Sequence, residues 1–186
     1  MLRSEHSFHP LQHGQARDRI IEEKYRRIIQ LIETKQGNED PRIADALNSP
    51  AAVMCNQKRY ADAEACLLRA LMIEEKTSKE ETLQLSQTAL GLASVYHELK
   101  QYAEAEPYYQ RAIAIRRRYL DDRHPDLYDA VWAYENLLRA MGRTKEADAV
   151  ADSLPPYSIQ TDLRRQYGDE EAERMMREML EKRRKR

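Results

Sequence analysis

Apolar and polar positions alternate in this chain with the period of an α-helix, not of a strand. In residues 15–35, Ile20, Ile21, Tyr25, Ile28, Ile29, Leu31 and Ile32 recur at helical spacing with charged residues between them. The pattern breaks at Asn38-Glu39-Asp40-Pro41. There Asp40 suits a helix N-cap and Pro41 suits a first turn, where its missing N–H costs nothing. Further on, one phrase returns three times: Arg59-Tyr60-Ala61-Asp62-Ala63-Glu64, Gln101-Tyr102-Ala103-Glu104-Ala105-Glu106 and Arg143-Thr144-Lys145-Glu146-Ala147-Asp148. Tyr60, Tyr102 and Thr144 are each 42 residues apart. A fixed period of this size marks a repeat architecture, in which each unit buries its apolar face only against its neighbours. The frame predicts helices near 16–35, 41–57, 60–76, 83–99, 102–118, 126–141 and 144–153, packed as antiparallel pairs.

Small residues in this frame mark the crossings. Ala63 and Ala105 fall where the second helix of a pair crosses the first, Ala70 and Ala112 where it meets the next unit, and Ala51 and Ala93 in the facing part of the first helix. Bulkier residues there would force the axes beyond the usual 8–10 Å or so. Shifting the second helix of the first unit back by 42 residues lands on 20–34, so residues 15–40 read as the remnant of an earlier repeat. Three units follow, 41–82, 83–124 and 125–154, the last a weakened terminal one. Residues 1–14 read as a disordered tail, and 155–186 as a linker and C-terminal capping helix with a basic end, Lys182 to Arg186. That helix carries Ala172, Met175, Met176, Met179 and Leu180 on one face. Pro50 interrupts the first helix of the first unit, which either kinks there or restarts with Ser49 as its cap.

Composition narrows the function classes. Of 186 residues, 31 are basic and 32 acidic, a net charge of -1 that gives no global attraction to nucleic acid or an anionic membrane. Charged residues make up 34% of the chain and glycine supplies only 5 positions, which is helical composition. No stretch approaches the roughly 18 apolar residues of a membrane span. Cys55 and Cys66 lie in no metal-binding or redox motif, and reduced thiols in a cytoplasmic protein are the expectation. His6, His9 and His13 cluster near the N-terminus without a fixed carboxylate or thiol beside them, so no metal site is assigned. Phosphate-binding glycine loops, zinc-protease motifs and nucleophile elbows are all absent from the sequence, so neither an enzyme nor a cofactor is expected.

The repeats resemble the tetratricopeptide family, in its 42-residue form found in kinesin light chains. The residues that carry the likeness are Leu92-Ala93-Ser94-Val95-Tyr96, then Tyr102 through Arg116, then His124-Pro125-Asp126. The resemblance covers about residues 41–153 and implies an all-α solenoid of antiparallel helix pairs. It also implies a protein-binding scaffold whose concave groove is lined by the first helix of each pair. Carried over by position, the partner-binding residues are Asp45, Asn48 and Asn56, then Gln87, Leu90, Ser94 and His97, then Asp129, Trp132, Asn136 and Arg139. Ser49, Ala52, Cys55, Gly91, Glu98 and Ala133 share the stripe. Asn48 alone matches the first family asparagine, which in such grooves holds a peptide backbone, whereas Leu90 and Trp132 replace it with apolar groups.

Chaperone-tail receptors of the family hold a carboxylate with Lys, Asn and Arg. The corresponding positions here are Asn48, Ala52, Gly91, Asp129 and Ala133, so that basic clamp is missing. The stripe leans acidic through Asp45, Glu98 and Asp129 against Arg139, which favours a neutral to basic protein or peptide. Trp132 is expected either as an exposed anchor or tucked under the C-terminal helix. The alternative function is a structural subunit that self-assembles through the solenoid ends or the C-terminal helix.

Overall fold

The computed structural model describes residues 10–78, 80–154 and 174, with side chains from residue 16 onward. Residues 10–154 form seven helices and, among the described residues, no strand: α1 (Pro10–Gln36), α2 (Pro41–Asn56), α3 (Tyr60–Thr77), α4 (Leu83–Glu98), α5 (Tyr102–Tyr119), α6 (Pro125–Ala140) and α7 (Thr144–Ala151). Helices α2 and α3, α4 and α5, and α6 and α7 pack as pairs, and each pair packs on the next. The first helices of the pairs, α2, α4 and α6, also lie side by side and form one face of the stack.

The 42-residue period extends to the atoms that start and stop each helix. The N-caps of α2, α4 and α6 are Asp40, Thr82 and His124, whose side chains accept from the amides of Arg42, Leu85 and Asp126. The side chain of Arg42 also bonds to Asp40 and holds its carboxyl down at about 2. Each of these helices ends in the same reversal. The amides of Arg59, Gln101 and Arg143 donate to the carbonyls of Met54, Tyr96 and Leu138 at 2.9, 2.8 and 2.9 Å. The residues just before them, Lys58, Lys100 and Gly142, stand at φ 60, 61 and 77. This is the left-handed helix stop that glycine favours, and two of the three repeats make it with lysine.

Packing follows the small residues. Ala63, Ala70, Ala93, Ala105, Ala112 and Ala147 are 0% exposed, and Ala51 is 1%. Leu67, Leu71, Leu92, Val95 and Ile115 fill the space between the first two pairs, and Tyr109, Leu127, Val131, Tyr134, Leu137 and Leu138 fill the space between the last two.

Ion pairs between repeats recur in register. Arg69 meets Glu33 at 2.5 Å and Arg111 meets Glu75 at 2.5 Å, each 42 residues on. Arg59 meets Glu22 at 2.8 Å and Arg143 meets Glu106 at 2.7 Å, two periods apart. Exposed pairs contribute at most about 1 kcal/mol each, so their weight here is in register rather than stability. They place α1 against α3 as α3 stands against α5.

Two details depart from the sequence expectation. Residues 10–14 are helical where a disordered tail through residue 14 was expected. One internal glycine at Gly14 costs only about 1 kcal/mol relative to alanine. Helix α2 runs unbroken through Pro50, with no restart at Ser49. The Pro50 ring is buried at the register position of Leu92 and Tyr134, so apolar packing offsets the lost hydrogen bond. Glu135, at an alanine position, pairs with Arg139 one turn on at 2.9 Å. The expected linker and C-terminal helix at 155–186 lie outside the described residues, apart from residue 174.

Ala105→Leu should overfill the α4–α5 crossing and lower stability by about 1–3 kcal/mol. Urea unfolding checks this, with Ala114→Leu at an exposed site of the same helix as a silent control.

Candidate functional site

The face formed by α2, α4 and α6 holds a cleft of about 250 Å³ between α2 and α4. Asn48, Ala51, Ala52, Cys55 and Asn56 line it from α2, Gln87, Gly91 and Ser94 from α4, and Leu67 of α3 adds an apolar wall. The cleft is open because position 91 carries no side chain. A Cβ on Gly91 would sit 3.0 Å from Leu67 Cδ2 and 3.2 Å from its Cδ1. The same contact brings α4 close to α3.

Four of the expected groove residues, Asn48, Asn56, Gln87 and Ser94, therefore meet in one cleft. The others lie elsewhere. Asp45, at the start of α2, and Asp129, on α6, are exposed. Trp132 is 65% exposed. Asn136 is half-buried on α6. Leu90 is half-buried against the α5–α6 core. His97 turns toward α5: its Nδ1 lies 3.4 Å from the Tyr109 hydroxyl, and its ring meets those of Tyr102 and Tyr109 edge-on. Arg139 binds Glu135 and Asp148 at 2.9 and 2.8 Å, so its charge is already matched. Burial, with Glu98 beside it, pushes the Cys55 thiol up, away from a reactive thiolate.

Behind Asn48 is a polar network that register comparison alone can flag. Asn48 Nδ2 lies 2.9 Å from Thr88 Oγ1, and Thr88 Oγ1 lies 3.1 Å from Glu74 Oε1. Thr88 is 0% exposed and Glu74 6%. Glu74 Oε2 is buried and has no hydrogen-bond partner among the described residues. Burial pushes the Glu74 carboxyl up from 4.5 to about 7, and Asp45 and Glu75 add to the shift while Thr88 and Arg111 oppose it.

One period on, the equivalent position holds Arg116, which donates to Gln87 Oε1 at 2.9 Å, to Ser86 Oγ at 3.4 Å and to the Asp126 carbonyl. The signal in the sequence was this pair of exceptions: Glu74 where the next repeat has Arg116, and Thr88 where its neighbours have Ala46 and Ala130.

Residues 84–152 match the family model for the tetratricopeptide repeat. Among solved structures, BtubC (BKLC) from P. vanneervenii superposes with a TM-score of 0.64 at 20% identity, over 70% of this chain and 52% of that one. The nearly identical TPR-like repeats of a Podosopora anserina protein named as a kinesin light chain give a TM-score of 0.57 at 19% identity, over 82% and 76%. A single-substitution form of those repeats gives 0.58 at 20% identity, over 75% of this chain and 64% of that one. The chain thus spans about half to three quarters of the length of these neighbours, and at such identities the likeness is one of fold. No curated protein matches the sequence. Among the described residues no helix is long and apolar enough to cross a membrane.

The Glu74 carboxyl has a definite consequence for stability. Its pKa is raised in the folded state, so between about 4.5 and 7 the folded chain holds a proton that the unfolded chain has released. The stabilisation is fully present below the ordinary carboxylate range and is lost as pH rises through about 7. Unfolding free energy should fall by about 3 kcal/mol from this group between pH 4.5 and 8.5. Urea titrations across that range check this, and Glu74→Gln should remove most of the slope.

Proposed function

This chain carries tetratricopeptide repeats in the fold of kinesin light chain-like proteins, and we propose that it is a non-enzymatic scaffold that receives an extended peptide or protein segment on its concave face. The observation that carries the reading is the α2–α4 cleft, which presents amide and hydroxyl groups of Asn48, Asn56, Gln87 and Ser94 beside the apolar side chain of Leu67. An extended backbone has one donor and one acceptor per residue, which such a mixed wall can pair.

Charge selects the occupant. Asp45, Glu98 and Asp129 are exposed, and the only cation expected on the stripe, Arg139, is bound to two carboxylates. A neutral to basic segment fits this surface better than an acidic one. Trp132, 65% exposed on α6, supplies a large apolar contact farther along the same face. His97 belongs to the packing of α4 on α5 and contributes at most an edge to the groove. The two free thiols, Cys55 and Cys66, suit a reducing compartment such as the cytoplasm.

A structural-subunit role has its own supporting observation. Ile20 and Leu31 are 66% and 61% exposed on α1, 11 residues apart and so on one side of that helix. They offer an apolar surface at the first end of the stack through which copies can associate.

Panning a random peptide display library against the folded protein tests the main reading. Extended, neutral to basic sequences with an apolar residue should be enriched. For a selected synthetic peptide, Ala52→Arg should abolish binding by filling the cleft with a bulky cation at an exposed position, with an unchanged thermal midpoint. Trp132→Ala should weaken binding by about 2 kcal/mol. Acidic selected peptides, or binding indifferent to both changes, would refute the groove reading. A concentration-dependent oligomer that dissociates on Ile20→Glu with Leu31→Glu would favour the structural subunit.

A further inference from the structure

The network behind the cleft is short of hydrogens, and that shortage has a functional consequence. Thr88 Oγ1 stands within reach of four polar atoms: Asn48 Nδ2 at 2.9 Å, Asn48 Oδ1 at 3.2 Å, Glu74 Oε1 at 3.1 Å and the Gln84 carbonyl at 3.4 Å. Its hydroxyl carries a single hydrogen. An ionised Glu74 is an acceptor only, so Thr88 must give its hydrogen to Oε1. Its lone pairs then face Asn48, which must present Nδ2–H to Thr88 and leave its carbonyl oxygen toward the cleft. A protonated Glu74 reverses each step. The carboxyl O–H donates to Thr88 Oγ1, Thr88 donates to Asn48 Oδ1, and the Asn48 NH2 group is released toward the cleft.

We propose that Glu74 and Thr88 form a proton-controlled relay that sets whether Asn48 offers a donor or an acceptor to the occupant of the α2–α4 cleft. The inference rests on the reading of that cleft as the binding surface. It assigns positioning roles to two buried residues that do not line the cleft. A bound backbone would meet Asn48 with a carbonyl in one state and an N–H in the other. The change shifts the favoured register by one hydrogen-bonding group.

Two features of the surroundings suit such a relay. The charged groups acting on Glu74 are Asp45 from α2, Glu75 from α3 itself and Arg111 from α5, while α4 contributes the neutral Thr88. Arg111 is held by Glu75 at 2.5 Å and by Glu81 at 3.0 Å, so its cation is shared before it reaches Glu74. Burial, more than any of these charges, pushes the carboxyl up to about 7. The second feature is the next repeat, where the same pocket is occupied by the guanidinium of Arg116, which keeps its hydrogens at every physiological pH. The first repeat has a group that can gain and lose a proton where the second has one that cannot.

NMR of the isotope-labelled 186-residue chain tests the proposal without any ligand. The Glu74 carboxyl carbon and the Asn48 side-chain NH2 signals are followed from pH 5 to 9. The relay predicts that both move with one midpoint near 7. In Thr88→Val the Glu74 signal should still titrate while the Asn48 signal stays flat, and Thr88→Ser should restore the coupling. An Asn48 signal that is flat in the native chain, or that follows Glu74 in Thr88→Val, overturns the relay. So does a Glu74 midpoint in the ordinary carboxylate range. If Thr88→Val does not fold, the native titration alone decides. Coupled signals in a protein that selects no peptide would leave the relay standing and remove the groove reading. Selected peptides with uncoupled signals would do the reverse.

Discussion

Everything in this molecule depends on helices approaching closely enough for one repeat to cover the next. That approach is permitted by alanines at the crossings, all of them at or near zero exposure. A solenoid has no central core into which errors can be absorbed, because each unit touches only its neighbours. A side chain of the wrong size at one crossing changes the spacing of two pairs at once. The large residues beside the crossings then fill what the alanines leave, and the register is repeated by caps, reversals and ion pairs every 42 residues.

The same constraint shapes the face proposed to bind a partner. Because α2, α4 and α6 lie side by side, their outward stripes form one continuous surface. Because Gly91 lets α4 approach Leu67, that surface has a cleft where the first two pairs meet. Helix packing thus decides where a ligand can be held, while the polar residues on the stripe decide its chemistry. The close approach also encloses Glu74, which on an isolated helix would be an ordinary surface carboxylate.

Repetition explains what could be read directly from the chain. A cap at Asp40 is weak information alone, but Tyr60, Tyr102 and Thr144 at equal spacing make a strong signal. The crossings were legible for the same reason. The groove was legible only as a stripe, since position along a helix does not say what the neighbouring helix does with a side chain. His97 and Leu90 lie on the expected stripe, yet packing against α5 and α6 engages both. Pro50 was read as an interruption because the local rule penalises it, and burial against neighbours outweighed that rule. Glu74 escaped notice because its hydrogen-bond partner Thr88 on α4 and the like charge of Asp45 on α2 belong to other helices. Only an alignment of the chain with itself shows that Glu74 and Thr88 both break the repeat.

The central claim is that the working surface of this protein is the concave cleft between α2 and α4. Chemical-shift mapping of the backbone and side-chain amides during titration with a selected basic peptide tests it most directly. The account predicts that the largest changes fall on Asn48, Asn56, Gln87, Gly91 and Ser94 and extend toward Trp132. Changes confined to α1 or to the outer faces of α3 and α5, with the cleft amides unmoved, would contradict it.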